Sequence, residues 1–328
     1  MTPSGPTVGL LGDAMLGRGV ADRLIRDPHA RLWSDDMMRV CASCDVLFCN
    51  LECCISERGT RTARIPRKPF FFRGPPAATD ALRVLGVDAV ALANNHALDY
   101  ETEALADTLD HLSSAGIAAA GAGRGASAGR RGVVVNSGGL RVGLLSVTDH
   151  PLEYAASDDS WGVAFADLRT EIPGWVEDEL QRLRVESDLV VAFPHWGPNM
   201  TVRPDRGRRR RARELLAAGA DLVAGHSAHV FHGIELIDGR PVLYDLGPAV
   251  DDYAVDPELR NDLGLLALWR PAGEPVLELV GLHAHHCRTD LARGADADWI
   301  AERLSRACAE LGTRTERMAE QRFALLSG

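Results

Sequence analysis

Seven short apolar runs constrain this chain more than any other feature, because each stops abruptly at polar or turn-forming residues. They are TVGLLGD (7–13), DVLFCNLE (45–52), VDAVALANNH (87–96), LRVGLLSVTDH (140–150), SDLVVAFPHWG (187–197), ADLVAGHSAH (220–229) and RPVLYDLG (240–247). Each has strand length and is rich in Val and Leu, as strands covered on both faces are. Helical patterns lie between several of them. ETEALADTLDHLSSAG (101–116) carries apolar residues at a helical period and ends in Gly, and GWVEDELQRLR (174–184) and RRRRARELLAAG (208–219) read the same way. Strands alternating with helices predict a layered α/β fold.

Two stretches interrupt the alternation. Residues 56–76, SERGTRTARIPRKPFFFRGPP, are basic and rich in Pro and Gly, with three consecutive Phe. They predict a long loop over one end of the sheet, and loops of that length inside compact domains are often functional. Residues 120–131 predict a second flexible connection. From about residue 285 the spacing in DADWIAERLSRACAELGTRTERMAEQRFALLS is amphipathic. It predicts a domain at 1–284 followed by a helical extension at 285–328.

Composition excludes several classes. The 328 residues are 46% hydrophobic, enough for a sizeable core. With 36 Lys plus Arg against 46 Asp plus Glu, the net charge of −10 argues against a general nucleic-acid or membrane-surface binder. Residues 1–12 lack the basic and apolar segments of a signal peptide. No apolar run approaches the ~18 residues that span a bilayer. Seven cysteines, an odd number, suggest reduced thiols and a cytoplasmic setting. Cys41 and Cys44 form a CxxC with no second pair at zinc-ribbon spacing, so a buried helix end is expected there.

The polar ends of the strands carry the chemistry. The runs end in Asp13, in Asn50 and Glu52, in Asn95 and His96, in His195, and in His226 with His229 following. Sites in open α/β sheets form at the carboxyl ends of strands. Carboxylate, amide oxygen and imidazole together suit divalent ions such as Mn²⁺, Fe²⁺ or Zn²⁺. A carboxylate can bridge two such ions, and the central Glu52 is the candidate bridge. A metal pair would lower the pKa of a bound water and clamp the oxygens of a displacement. Alone, Asp13 would read as a turn residue and His195 as a core histidine. It is their joint placement that argues for a metal site.

In type and order GDAML (12–16), NLE (50–52), ANNHALDY (93–100), HWG (195–197) and GHSAHV (225–230) resemble the CapA-like family of poly-γ-glutamate capsule synthesis, within the calcineurin-like metallophosphoesterase superfamily. The resemblance spans roughly residues 7–250. It implies a four-layer α/β/β/α sandwich with a dinuclear metal site, and metal-dependent hydrolysis of a phosphoester or, on the same site, of a γ-glutamyl amide. A non-catalytic accessory role is the alternative. Position by position, Asp13 and His229 resemble ligands of one metal, Asn95, His195 and His226 ligands of the other, and Glu52 the bridging carboxylate. His96 resembles the histidine facing the leaving group, with Asp99 orienting its ring. Asn94 takes no role. Met15 stands where the superfamily has a histidine, and thioether is a poor ligand for hard ions. Pro248 stands where many relatives have Asn, and Asp245, Asp251 and Asp252 are candidates for local acidity in its place. The family's membrane anchor is absent here, so a stand-alone enzyme acting on an anionic small molecule or polymer is expected.

Three weaker signals remain. The basic run RPDRGRRRRAR (203–213) could steer an anion, but reads first as a solvated helix face. His283 and His285 share a strand face and could bind a metal, but read first as an exposed edge strand. Arg73 and Phe72 could contact substrate, although core packing is the expectation for the Phe residues.

Overall fold

The computed structural model describes residues 5–326. Each of the seven apolar runs contains a strand: Val8–Ala14, Val46–Leu51, Ala89–Ala91, Leu140–Thr148, Leu189–His195, Leu222–Ala224 and Arg240–Leu243. The first three are parallel neighbours in a ten-stranded sheet. The last four are parallel neighbours in a six-stranded sheet. Parallel neighbours need crossovers: helices Arg18–Arg26 and Asp35–Cys41, then Ala77–Leu85, lie on them in the larger sheet, and Gly174–Glu186 and Arg206–Ala217 in the smaller.

Alternation along the strands divides the core. Leu10, Phe48 and Ala89 of the larger sheet share one cluster with Leu144, Phe193 and Leu222 of the smaller. Their chain neighbours Leu11, Cys49 and Val90, and Leu145, Ala192 and Val223, belong to a second cluster that includes the helix residues Leu105, Leu180 and Leu215. Successive side chains point to opposite faces, so one face of each strand meets the other sheet and the opposite face meets helices. This is why the runs lack polar alternation.

Residues 285–328 correct the purely helical expectation. Helix Ala295–Ala309 is followed by strands Arg314–Ala319 and Arg322–Leu326, and the latter pairs antiparallel with Leu277–His285 in the ten-stranded sheet. The boundary at 284 therefore falls inside a strand. The amphipathic spacing that continues past residue 309 belongs to a hairpin, whose Phe323 and Leu325 reach the core. Its outer strand is exposed and charged, with Arg314, Glu316 and Arg317, which blunts an open sheet edge.

The CxxC is a helix end, as expected: Cys41 closes helix Asp35–Cys41, and both thiols are free. Burial pushes the Cys44 thiol up to about 12. Residues 56–72 form the expected long connection, running from strand Cys54–Ile55 to Arg73–Gly74, its parallel partner. Among the described residues no helix is long and apolar enough to cross a membrane.

Candidate metal centre

The two sheets bring their carboxyl ends together. Asp13 comes from the larger sheet and His195 from the smaller, and the backbone beyond His195 stays ordered by a parallel bridge to His226. There Trp196 N donates to His226 O at 3.2 Å, and Trp196 Nε1 to Tyr244 O at 3.0 Å. The His226–His229 loop takes unusual backbone angles, φ 113° at Ser227 and 57° at His229. Such strain persists only where surrounding structure imposes it. Buried Asp245 imposes it here, accepting from Ala228 N at 2.7 Å and from Gly247 N at 2.8 Å. Asp245 therefore acts on the backbone rather than as a source of acidity for substrate. Gly12 is required for the same close approach: a Cβ there would lie 1.9 Å from Gly247 O.

Asp13, His195 and His226 form one group able to hold a metal ion, and Asp13, Glu52 and His229 a second. Asp13 is thus the residue common to both, while Glu52 belongs to one. His195 Nδ1 and His226 Nδ1 approach to 2.8 Å. Asp13 Oδ1 lies 3.4 Å from His226 Nδ1, and its Oδ2 lies 3.0 Å from His229 Nδ1. Burial acts to raise the Asp13 carboxyl, but His226 and His229 hold it well below its ordinary value. Glu52 is raised well above its own, by burial first. His229 is pulled up to about 10 because Glu52 and Asp13 outweigh its burial, the preference two carboxylates have for a positive charge between them. His195, buried beside His226 and His150, is pushed well below its ordinary value.

The fit to a metal can be read from unpaired atoms. Glu52 Oε1, Asn95 Oδ1, His195 Nε2 and His226 Nε2 are buried and lack a hydrogen-bond partner, while buried Asp13 Oδ2 and His229 Nδ1 have only each other, at 3.0 Å. Buried polar atoms are ordinarily paired, so unpaired atoms on four of these residues, beside the Asp13–His229 pair, fit a donor set built for cations.

The ANNH turn divides its labour. Asn94 is fully buried; its Oδ1 accepts from His96 N at 2.9 Å, and its Nδ2 donates to Asn50 Oδ1 at 3.0 Å and Leu51 O at 2.8 Å. Asn50 Nδ2 in turn donates to Asp13 Oδ1 at 2.7 Å. His96 Nδ1 lies 2.6 Å from Asp99 Oδ2. Phe72 N and the Tyr154 hydroxyl also donate to Asp99, at 2.7 and 3.1 Å. Lys68 Nζ sits 3.2 Å from Asp99 and donates to Asn95 O at 2.7 Å. The Phe72 ring stacks on the His96 imidazole at 3.9 Å. Burial, opposed by Asp99, lowers His96 to about 4.

Sequence reasoning missed several of these contributors. Asn50 was visible at a strand end, but its partners were not. Lys68 and Tyr154 lie in connections with no local signal. Tyr253, whose hydroxyl donates to Glu52 Oε2 at 3.3 Å, sits within the YDLGPAVDDY stretch without marking itself. Asp251 turns its carboxylate to Tyr253 N, and Asp252 to Gly19 N. Arg73 holds loop carbonyls and covers the Tyr100 ring at 4.1 Å. Met15 is fully buried, and Gly17 N approaches its sulfur at 3.1 Å. Pro248 opens strand Pro248–Val250, beside Asp13.

Two weaker expectations are corrected. The basic helix is only in part a solvated face: Arg206 and Arg210 are exposed, but Arg208 and Arg211 are buried, and Arg209 and Arg213 pair with Glu235. The strand of His283 is not an edge, since Leu277–His285 has neighbours on both sides. His283 lies between Asp262 (3.2 Å) and Asp296 (2.9 Å), with His285 stacked on it.

Fold and site together define a mixed α/β protein with buried carboxylate–imidazole groups able to bind metal. The chain belongs to the bacterial capsule synthesis protein family PGA_cap, which it matches over residues 7–253. It is 30% identical, over 95% of its length and 93% of the relative's, to a probable polyglutamine synthesis accessory protein of Mycobacterium tuberculosis. It is 32% identical to the PGA biosynthesis protein CapA of Bacillus subtilis, over 49% of this chain and 41% of that one. A hypothetical protein of known structure from Thermus thermophilus aligns over 87% of this chain and 96% of its own, at 15% identity and a TM-score of 0.41.

Proposed function

We propose that this chain is a metal-dependent hydrolase linked to poly-γ-glutamate metabolism, acting on a phosphoester. In this reading Asp13, Glu52, Asn95, His195, His226 and His229 hold two divalent ions of the Mn²⁺, Fe²⁺ or Zn²⁺ type in a four-layer sandwich. The observation that carries it is the unpaired buried atom on each of Glu52, Asn95, His195 and His226, gathered around the Asp13–His229 pair. Leaving such atoms unsatisfied costs about 1–3 kcal/mol each, which bound cations would offset.

When bound, the ions supply Lewis acidity and a water of lowered pKa. The chain's own residues do the rest. Asn50 Nδ2 donates to Asp13 Oδ1 and so fixes that carboxylate. Asp99 accepts the His96 Nδ1 proton and so leaves Nε2 as the working nitrogen. His96 lines a cavity of about 280 Å³ with Phe70, Phe72, His229 and Tyr253, which suits it to face a leaving group there. Burial favours the neutral ring despite Asp99, so Nε2 would take the proton released by the attacking water and pass it to the leaving oxygen.

The test is metal analysis and turnover of the purified chain with added Mn²⁺, on phosphoesters and on γ-glutamyl peptides. We expect bound metal and phosphoester turnover, both lost in His226→Ala. Turnover confined to the peptides would move the substrate to an amide. Full activity of His226→Ala in chelator would sink the proposal. A non-catalytic accessory role is the second reading, favoured by Met15, whose thioether is a poor ligand for such ions and lies 3.1 Å from Gly17 N. Substoichiometric metal with no turnover on either substrate class would support it.

A further inference from the structure

A cavity of about 630 Å³ adjoins the candidate metal centre at Asn95, and Asp149, His150, Arg169, Asp205 and Arg208 stand in its wall. The His150 ring lies 5.2 Å from that of His195, which joins the cavity to the metal-binding groups. Arg208 is the unusual member. It is only 8% exposed, and its Nη2 donates to Asp205 Oδ2 at 3.2 Å, yet its Nε and Nη1 are buried without an acceptor. A guanidinium stays charged at any working pH, so these unpaired N–H groups are costly unless something accepts from them.

The position is built by its surroundings. Asp205 caps helix Arg206–Ala217 and accepts from Arg208 N at 2.8 Å, which fixes the residue at the start of the helix. Gly197 leaves the space that the guanidinium fills. It has φ +79°, and a Cβ there would lie 1.5 Å from Arg208 Nη1. Both carboxylates in the wall already have partners, and neither accepts from Arg208 Nε or Nη1. Asp149 accepts from Gly197 N at 3.1 Å and pairs with His150 Nδ1. Asp205 is engaged by Arg208's own backbone and Nη2. Arg169, paired with Asp167, adds an exposed positive charge at the rim.

We propose that Arg208 binds an oxyanionic group of the substrate, a carboxylate or a phosphate, distinct from the group that reacts at the metals. The substrate is then at least doubly anionic, with its second charge lying in the larger cavity. This deepens the hydrolase reading and rests on it for the place of the reacting group.

The test is calorimetric titration of the full chain with inorganic phosphate and, separately, glutarate, in chelator and at fixed ionic strength. Chelation removes metal-bound anion from the measurement, so failure here is distinct from failure of the metal analysis above. We expect at least one anion to bind, Arg208→Gln to weaken it roughly tenfold or more, and exposed Arg210→Gln on the same helix to leave it unchanged. Preference for phosphate assigns a phosphate to the subsite, and preference for glutarate a carboxylate. Arg208→Lys, which keeps the charge but loses the planar fork, should also weaken binding with its melting temperature retained; it carries the test if Arg208→Gln does not fold. No binding of either anion by the wild type, or equal affinity in the folded Arg208 variants, overturns the proposal.

Discussion

Asn94 makes three side-chain hydrogen bonds, and all serve other residues: it shapes the His96 turn and, through Asn50, the Asp13 carboxylate. Asn94→Ala leaves His96 N and Asn50 Oδ1 short of a partner in a fully buried place. We expect a loss of about 1–3 kcal/mol or more in denaturant titration, together with weaker metal binding. His96→Ala separates ligand from proton carrier: metal content should stay near the wild-type level while turnover falls by about 10²–10⁴-fold. Equal loss of metal in that variant would place His96 among the ligands instead. The residue types of the proposed ligand set were legible because strand ends expose them one by one. The sequence assigned nothing to Asn94 because its partners Asn50 and Leu51 are 44 and 43 positions away. No local pattern encodes that separation.

At the scale of elements, the His283 strand shows how a polar cluster can serve stability without chemistry. Hydrogen bonding to Asp262, and the charge of Asp296 against partial burial, raise His283 above its ordinary 6.5. Stability from a raised histidine is fully present below its unfolded pKa and is lost as pH rises through the folded one. The melting-temperature gap between wild type and His283→Asn should therefore be widest below about pH 6.5 and close as pH climbs above it. A gap that widens with pH would refute the pairing. All seven apolar runs were legible as strands because burial on both faces leaves a continuous apolar record. The C-terminal hairpin was not, since the exposed Arg314–Ala319 strand carries mostly polar residues that suit a helix surface equally well. Nor was the role of the basic helix, whose arginines are ordered by Glu235, Glu214 and Asp205.

At the scale of the whole molecule, neither sheet holds a metal group alone. Asp13 belongs to the larger sheet and His195 to the smaller, and both groups need Asp13 and a histidine from the second half of the chain. Added Mn²⁺ should therefore raise the melting temperature of the entire domain in one transition, by about 2.7 kcal/mol of stabilisation when free metal is a hundredfold above its Kd. Chelator should reverse the shift, and Asp13→Asn should abolish it. A metal response confined to a partial early transition would contradict a centre shared by both sheets. The same sharing sets an order on biosynthesis. While the ribosome has released only the first half of the chain, Asp13 and Glu52 are present without any of the three imidazoles. His229, the last of them, must emerge before both groups are complete. Under the proposed reading, metal loading is deferred until most of the polypeptide has been made, so a truncated chain leaves the ribosome without its cargo.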